Sequence, residues 1–293
     1  MIDRLAIGTA QFGQRYGIAN HGGVTIDQAR SILEVAASAG IDTLDTAMAY
    51  GTCEAWLGEI GVARWRVVSK LPAVDESCTD LVGWAERILH SSLKTLGIER
   101  LHALLLHSPG QLLGPQGDAL YRALIRLREQ GLTKKIGVSV YSPAELESYI
   151  RRFDFDITQI PFNVVDRRLL TSGLLAVLQQ SGVEIHARSV FLQGLLLMNA
   201  ESQLQAFGRW RPLWERWQEW LARQRVTALQ ATVSFALSRP EIDRIIVGID
   251  CRRHLDDILD IARAPLALVF PADLESTESA LIDPSQWSSH EKM

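Results

Sequence analysis

The segment TIDQARSILEVAASAGIDTLD, residues 25–45, contains the unit from which the fold is built. Thr25 offers a side-chain oxygen just ahead of an apolar helical pattern that runs to Ala39, and Gly40 stops it. The short run Ile41 to Asp45 follows. This predicts a helix with Thr25 as its N-cap, then a β-strand. Outward from this unit the alternation continues in both directions. Before it, Arg4 to Thr9 is a first strand. After it come a short helix at Cys53 to Ile60, a strand at Arg66 to Lys70 ended by Pro72, and a helix at Asp80 to Leu96 stopped by Gly97. Leu101 to His107 is a fourth strand, Asp118 to Gln130 its helix, and Lys135 to Ser139 a fifth strand followed by a helix start at Ser142-Pro143. Asp156 to Pro161, one helix over Arg168 to Gln180, and Val183 to Arg188 come next. Helices at Leu213 to Arg223 and Thr227 to Ser238, a strand at Arg244 to Gly248 and a helix at Arg253 to Ala262 complete the series.

Eight strands separated by helices imply parallel pairing, because a parallel pair needs a long crossover. Eight such units favour a closed (β/α)₈ TIM barrel, an α/β fold, over an open doubly wound sheet. The first strand–helix turn also lacks GxGxxG, which argues against a Rossmann cofactor site. The 293 residues read as a single domain, 1–293, with no linker or repeat. A helical insertion follows strand seven and carries Trp210, Trp214, Trp217 and Trp220. The last three recur every third residue near one helix face. They are read first as packing the insertion onto the barrel, and otherwise as a wall of the substrate pocket.

Net charge is −4, and no long basic run offers a surface for nucleic acid. Cys53, Cys78 and Cys251 are far apart and form no metal-binding pattern, so free thiols in a reducing cytoplasm are expected. The absence of a signal peptide or membrane-length apolar run fits the same expectation. A monomer or weak homo-oligomer is anticipated.

Barrel active sites gather at the C-terminal ends of the strands. Here those ends carry Asp45, with Tyr50 five residues on, then Lys70 and His107, from three adjacent strands. The set suits proton donation to a carbonyl. A tyrosine alone, with a pKa of about 10, is a weak acid at neutral pH. A neighbouring Lys70 ammonium is expected to lower that value, Asp45 to hold Lys70 charged, and His107 to orient the substrate oxygen. Each residue also has a structural reading: a Lys–Asp pair can serve only the barrel, and a histidine can be a satisfied core residue. The four together make coincidence a poor explanation. His102, five residues before His107, lies toward the other end of its strand, and no second ligand at an obvious spacing supports a metal site.

With these residues in view, the chain resembles the aldo-keto reductase superfamily along almost its whole length. Ile7-Gly8-Thr9-Ala10 with Gly13, Asp42 to Ala47 with Tyr50-Gly51, and Ser69-Lys70 resemble its early motifs. Leu106 to Pro109, Ile136 to Ser139, Gln159 with Pro161 to Asn163, and Gln193 to Leu196 resemble the later ones, in order. The resemblance implies a barrel that binds NAD(H) or NADP(H) extended, without a Rossmann fold, and reduces an aldehyde, ketone or sugar carbonyl. It implies Tyr50 as general acid, Lys70 and Asp45 as its tuners, and His107 as the residue that orients the carbonyl. It places Ser139 and Gln159 at the nicotinamide amide, Gly8, Thr9 and Ala10 at the nicotinamide ribose, and Ser189 to Gln193, including Phe191, along the pyrophosphate. Gly248, Asp250 and His254 fall in the loop that grips the adenosine end.

Three departures stand out. Val140 replaces an asparagine common after the strand-five serine. Arg188 stands where many relatives stack an aromatic ring on the nicotinamide, so it either stacks there itself or holds an anionic group; an ordinary salt bridge is the structural alternative. Asp250 stands where NADP-preferring relatives grip a 2′-phosphate, which tips the expectation slightly toward NAD(H), with Arg252 and Arg253 nearby as a counterweight. An NAD-dependent aldose 1-dehydrogenase and a cofactor-binding regulatory barrel with little turnover are the competing functions. The short tail after Ala262 leaves the pocket either shallow or walled by the insertion after strand seven.

Overall fold

A computed structural model of the chain describes residues 1–13, 17–18 and 23–287. Eight strands form it: β1 (Leu5–Gly8), β2 (Thr43–Asp45), β3 (Arg66–Leu71), β4 (Leu101–Leu106), β5 (Thr133–Ser139), β6 (Ile157–Pro161), β7 (Glu184–Arg188) and β8 (Arg244–Gly248). They pair in parallel in sequence order, and β8 returns to β1 to close the barrel. The helices are α1 (Ala10–Gly13), α2 (Ile26–Ser38), α3 (Cys53–Ile60), α4 (Leu81–Leu96), α5 (Gly117–Glu129), α6 (Pro143–Ile150), α7 (Arg168–Thr171), α8 (Leu174–Gln180), α9 (Ala200–Phe207), α10 (Arg211–Gln224), α11 (Ala228–Leu237), α12 (Arg252–Arg263) and α13 (Ser279–Ile282).

Local chemistry sets the helix starts. Thr25 caps α2 in a capping box with Gln28, as expected, and Thr227 does the same for α11 with Gln230. Asp80 accepts from the Gly83 amide at the start of α4. One expected helix is in fact two. The Arg168–Gln180 segment breaks at Gly173, whose φ of 74° no helix interior tolerates, and α7 and α8 lie on either side of it. The apolar spacing runs straight through the break and so conceals it. The insertion after β7 is made of α9 and α10. Its tryptophans pack: Trp214 and Trp217 are 1% exposed, Trp217 stacks on Trp220 at 5.6 Å, and Trp220 lies 4.8 Å from Phe270.

At the N-terminal end of the barrel Glu184 accepts from Lys135 and pairs with His102 and His186, the latter at 2.7 Å. The seam between β7 and β8 is short, joined through His186 to Arg244 and Ala187 to Ile245. Arg4 fastens the approach to β8 by donating to the carbonyls of Leu237, Arg239 and Ile242.

Candidate active site

β2, β3 and β4 bring the expected polar residues to one end of the barrel. Lys70 is 1% exposed, and its ammonium donates to Asp45 Oδ1 at 2.8 Å, Asp45 Oδ2 at 2.9 Å and the Thr46 carbonyl at 2.8 Å. Those contacts use its donor capacity in full. Tyr50 follows β2, with its ring 5.4 Å from Lys70 Nζ and edge-on to His107 at 5.8 Å between ring centroids. What places Tyr50 is a close backbone crossing. A Cβ on Gly13 would run into the Tyr50 carbonyl oxygen and the Cys53 amide, so α1 can approach α3 only through a glycine. Beneath them Cys53 Sγ donates to Thr9 Oγ1 at 3.1 Å.

The electrostatics differ from the sequence reading in one respect. Tyr50 is held above its ordinary phenol pKa, first by burial and next by the Asp45 carboxylate, while Arg188 pulls it down. Lys70 was expected to lower it. The cation that acts most strongly against the rise is instead Arg188. His107 is pushed down to about 4, chiefly by burial and then by Lys70, so its imidazole is neutral at neutral pH. Gln159 donates to Asp45 Oδ2 at 2.6 Å and accepts from Ser139 Oγ at 3.2 Å.

Beside these residues runs a cleft of about 530 Å³, within the range of about 300–1,000 Å³ common for ligand sites. It extends from Asp45, Tyr50 and Gln159 past Gly8, Thr9, Ala10, Arg188, Ser189, Phe191 and Gln193 to Gly248, Asp250 and His254. Lys70, His107 and Ser139 stand outside the cleft lining, and Lys70 and Ser139 are buried behind it. One wall carries backbone in an unusual conformation: the lining residues Ser189 and Gln193 have φ of 59° and 52°, and the buried Leu192 behind them 48°. Non-glycine residues avoid that region, and such strain concentrates at ligand sites.

The sequence reading missed Thr227, Ala228 and Leu229, which line the cleft at the start of α11, and also the lining residues Gln11 and Leu197. The sequence placed a helix start at Thr227 but carried no signal of what it faces. The tryptophan helix α10 contributes nothing to this lining. Arg188 is half-buried and makes no salt bridge among the described residues. Its guanidinium lies 4.5 Å from the Tyr141 ring centroid and donates to Val140 O at 2.8 Å and Ser189 Oγ at 3.0 Å. Asp250 lies 3.7 Å from His254, and burial raises its carboxyl. Arg252 and Arg253 are exposed and outside the cleft lining, with Arg252 3.6 Å from Asp256.

A closed parallel barrel with Asp, Tyr, Lys and His beside a long cleft at its strand ends is an arrangement characteristic of barrel oxidoreductases. A model of the aldo/keto reductase family matches residues 4–275, and the chain belongs to that family of oxidoreductases. Membership implies a nicotinamide hydride donor. The chain is 31% identical to an aldo-keto reductase of Mycolicibacterium vanbaalenii over 180 residues, 59% of this chain and 61% of that protein. It is 27% identical to glyoxal reductase of Bacillus subtilis, over 59% of this chain and 62% of the relative. The matches thus span about three fifths of each relative's length. Among solved structures, the holo form of aldo-keto reductase AKR11C1 from Bacillus halodurans superimposes with a TM-score of 0.75 at 19% identity, covering 98% of this chain and 95% of that one. No helix among the described residues is long and apolar enough to cross a membrane.

Proposed function

We propose that this chain, as one barrel domain, reduces small carbonyl compounds to alcohols, with Tyr50 as the proton donor. The observation that carries the reading is that Tyr50 and Asp45 line a cleft running to the β8–α12 loop, with Lys70 bound to Asp45 and His107 edge-on to Tyr50. The cleft fits a dinucleotide. Its inner part is lined by Gly8, Thr9 and Gln159, and its outer part by the strained wall and the N-terminal turn of α12. Bound there, the dihydronicotinamide supplies the hydride that reaches the carbonyl carbon.

The chain's own residues do the rest. Neutral His107 keeps an N–H to donate to the carbonyl oxygen and holds it beside Tyr50. Tyr50, protonated at neutral pH, passes its proton to the oxygen as negative charge develops there. Asp45, itself held by Gln159, fixes Lys70, so a cation lies near the phenol when it becomes tyrosinate. Tyr50→Phe is expected to retain NAD(P)H binding, read by fluorescence quenching, and to lose about 10²–10⁴-fold in turnover. A Tyr50→Phe protein that keeps most of its carbonyl activity defeats the assignment. The glyoxal reductase among the relatives makes small dicarbonyls the first substrates to screen.

Asp250 favours NAD(H) over NADP(H). A carboxylate in the adenosine loop repels a 2′-phosphate and accepts from a free 2′-hydroxyl. Arg252 and Arg253, which would argue otherwise, are exposed. The expected result is a higher kcat/KM with NADH, and a shift toward NADPH in Asp250→Ser. A tenfold preference of the parent for NADPH, a margin of about 1.4 kcal/mol, contradicts it.

A further inference from the structure

We infer that the substrate carries a carboxylate next to its carbonyl, as in a 2-oxo acid, and that Arg188 binds it. The inference rests on the carbonyl-reductase reading and names the substrate class for that site.

Arg188 ends β7 and lines the cleft together with Tyr50 and Gln159. Lys70 is paired with Asp45 at 2.8 Å, and Arg168 with Asp166 at 2.8 Å. Arg188 has only neutral partners among the described residues, the Val140 carbonyl, the Ser189 hydroxyl and the Tyr141 ring. A half-buried cation without a counter-charge is costly, and an anion arriving in the cleft removes that cost. The three contacts also fix the guanidinium plane. Two of its five N–H groups are used in those hydrogen bonds, which leaves donors for a forked carboxylate contact.

The position explains why the anion would be adjacent to the carbonyl rather than remote. Arg188 lines the same cleft as Tyr50 and Asp45, and its strand β7 pairs with β6, whose Gln159 donates to Asp45 at 2.6 Å, so its charge reaches both Tyr50 and His107. Reducing a 2-oxo acid gives a 2-hydroxy acid: hydride adds to the carbonyl carbon, the Tyr50 proton goes to the oxygen, and the carboxylate is unchanged. During that step negative charge grows on the oxygen beside an existing carboxylate. A cation at Arg188 offsets that repulsion as it builds.

The test compares kcat/KM for phenylglyoxylate and its methyl ester, using the whole chain with NADH and NADPH. The acid is expected to be favoured by about tenfold or more, the worth of one charge-assisted hydrogen bond. Arg188→Gln should abolish that ratio through a raised KM for the acid. Arg188→Lys should restore part of it, because lysine keeps the charge but loses the fork. A parent that prefers the ester overturns the proposal, and that measurement requires no variant to fold. An unchanged ratio in Arg188→Gln overturns it too, and if that variant also binds NAD(P)H tenfold more weakly, the guanidinium serves the cofactor instead. A parent that turns over methylglyoxal but shows no acid preference leaves the reductase reading intact while removing this one. A parent inactive on every carbonyl removes both.

Discussion

His107 shows how burial selects a protonation state. With its pKa moved from 6.5 to about 4, the unfolded chain binds a proton between those values that the folded chain does not. The stabilisation associated with neutral His107 is therefore present above pH 6.5 and is lost as pH falls toward 4. In His107→Asn, which cannot titrate, that dependence disappears. The difference in unfolding free energy between parent and variant should shrink from pH 6.5 to pH 4, and a difference that stays flat across this window contradicts a buried neutral imidazole. The identities of Asp45, Tyr50, Lys70 and His107 were legible in the sequence because barrel chemistry sits at strand ends. The saturation of Lys70 was not. It depends on the Thr46 carbonyl and on both Asp45 oxygens reaching one ammonium, which is a matter of backbone path.

The crossing of α1 and α3 ties the position of Tyr50 to a single missing side chain. Gly13→Ala places a methyl group against the Tyr50 carbonyl and the Cys53 amide, and backbone cannot yield as a flexible side chain can. Overpacking of this kind typically costs about 1–3 kcal/mol. The displaced element carries the acid, so kcat should fall along with thermal stability. Gly13→Ala with parental kcat would show that the approach relaxes without moving Tyr50. Helix and strand order was readable because apolar periodicity and caps are local properties. The break at Gly173 and the cleft-facing start of α11 were not readable. The first falls in an unbroken apolar pattern, and the second depends on what α11 meets across the barrel mouth.

The two ends of the barrel divide the work. The C-terminal end holds the cleft, while the N-terminal end is closed by Glu184 with its basic partners. Burial acts to raise the Glu184 carboxyl, but hydrogen bonds from His102, His186 and Lys135 outweigh it and hold the group well below its usual 4.5. That stabilisation is complete above pH 4.5 and fades as acid protonates the carboxylate. Glu184→Gln should lower stability at pH 7 and flatten the loss of stability on the acid side, as followed by urea unfolding across pH. Equal acid sensitivity in parent and variant would place the acid response elsewhere. Glu184 and His186 are two apart on β7, but nothing in the sequence joined them to His102 of β4 and Lys135 of β5, which they meet only when the barrel is closed.

Closure also leaves the sheet without a free edge, and the short β7–β8 seam is where that protection is thinnest. Only His186 with Arg244 and Ala187 with Ile245 are in register there, whereas β4 and β5 stay paired from Leu101 with Thr133 to Leu106 with Val138. A fluctuation that parts β7 from β8 turns the barrel into an open sheet with two unpaired strands, each offering bare N–H and C=O groups to another molecule. Self-association under mild heating should therefore begin at this seam, and the Arg4 clamp on the carbonyls leading into β8 then acts as a guard against aggregation.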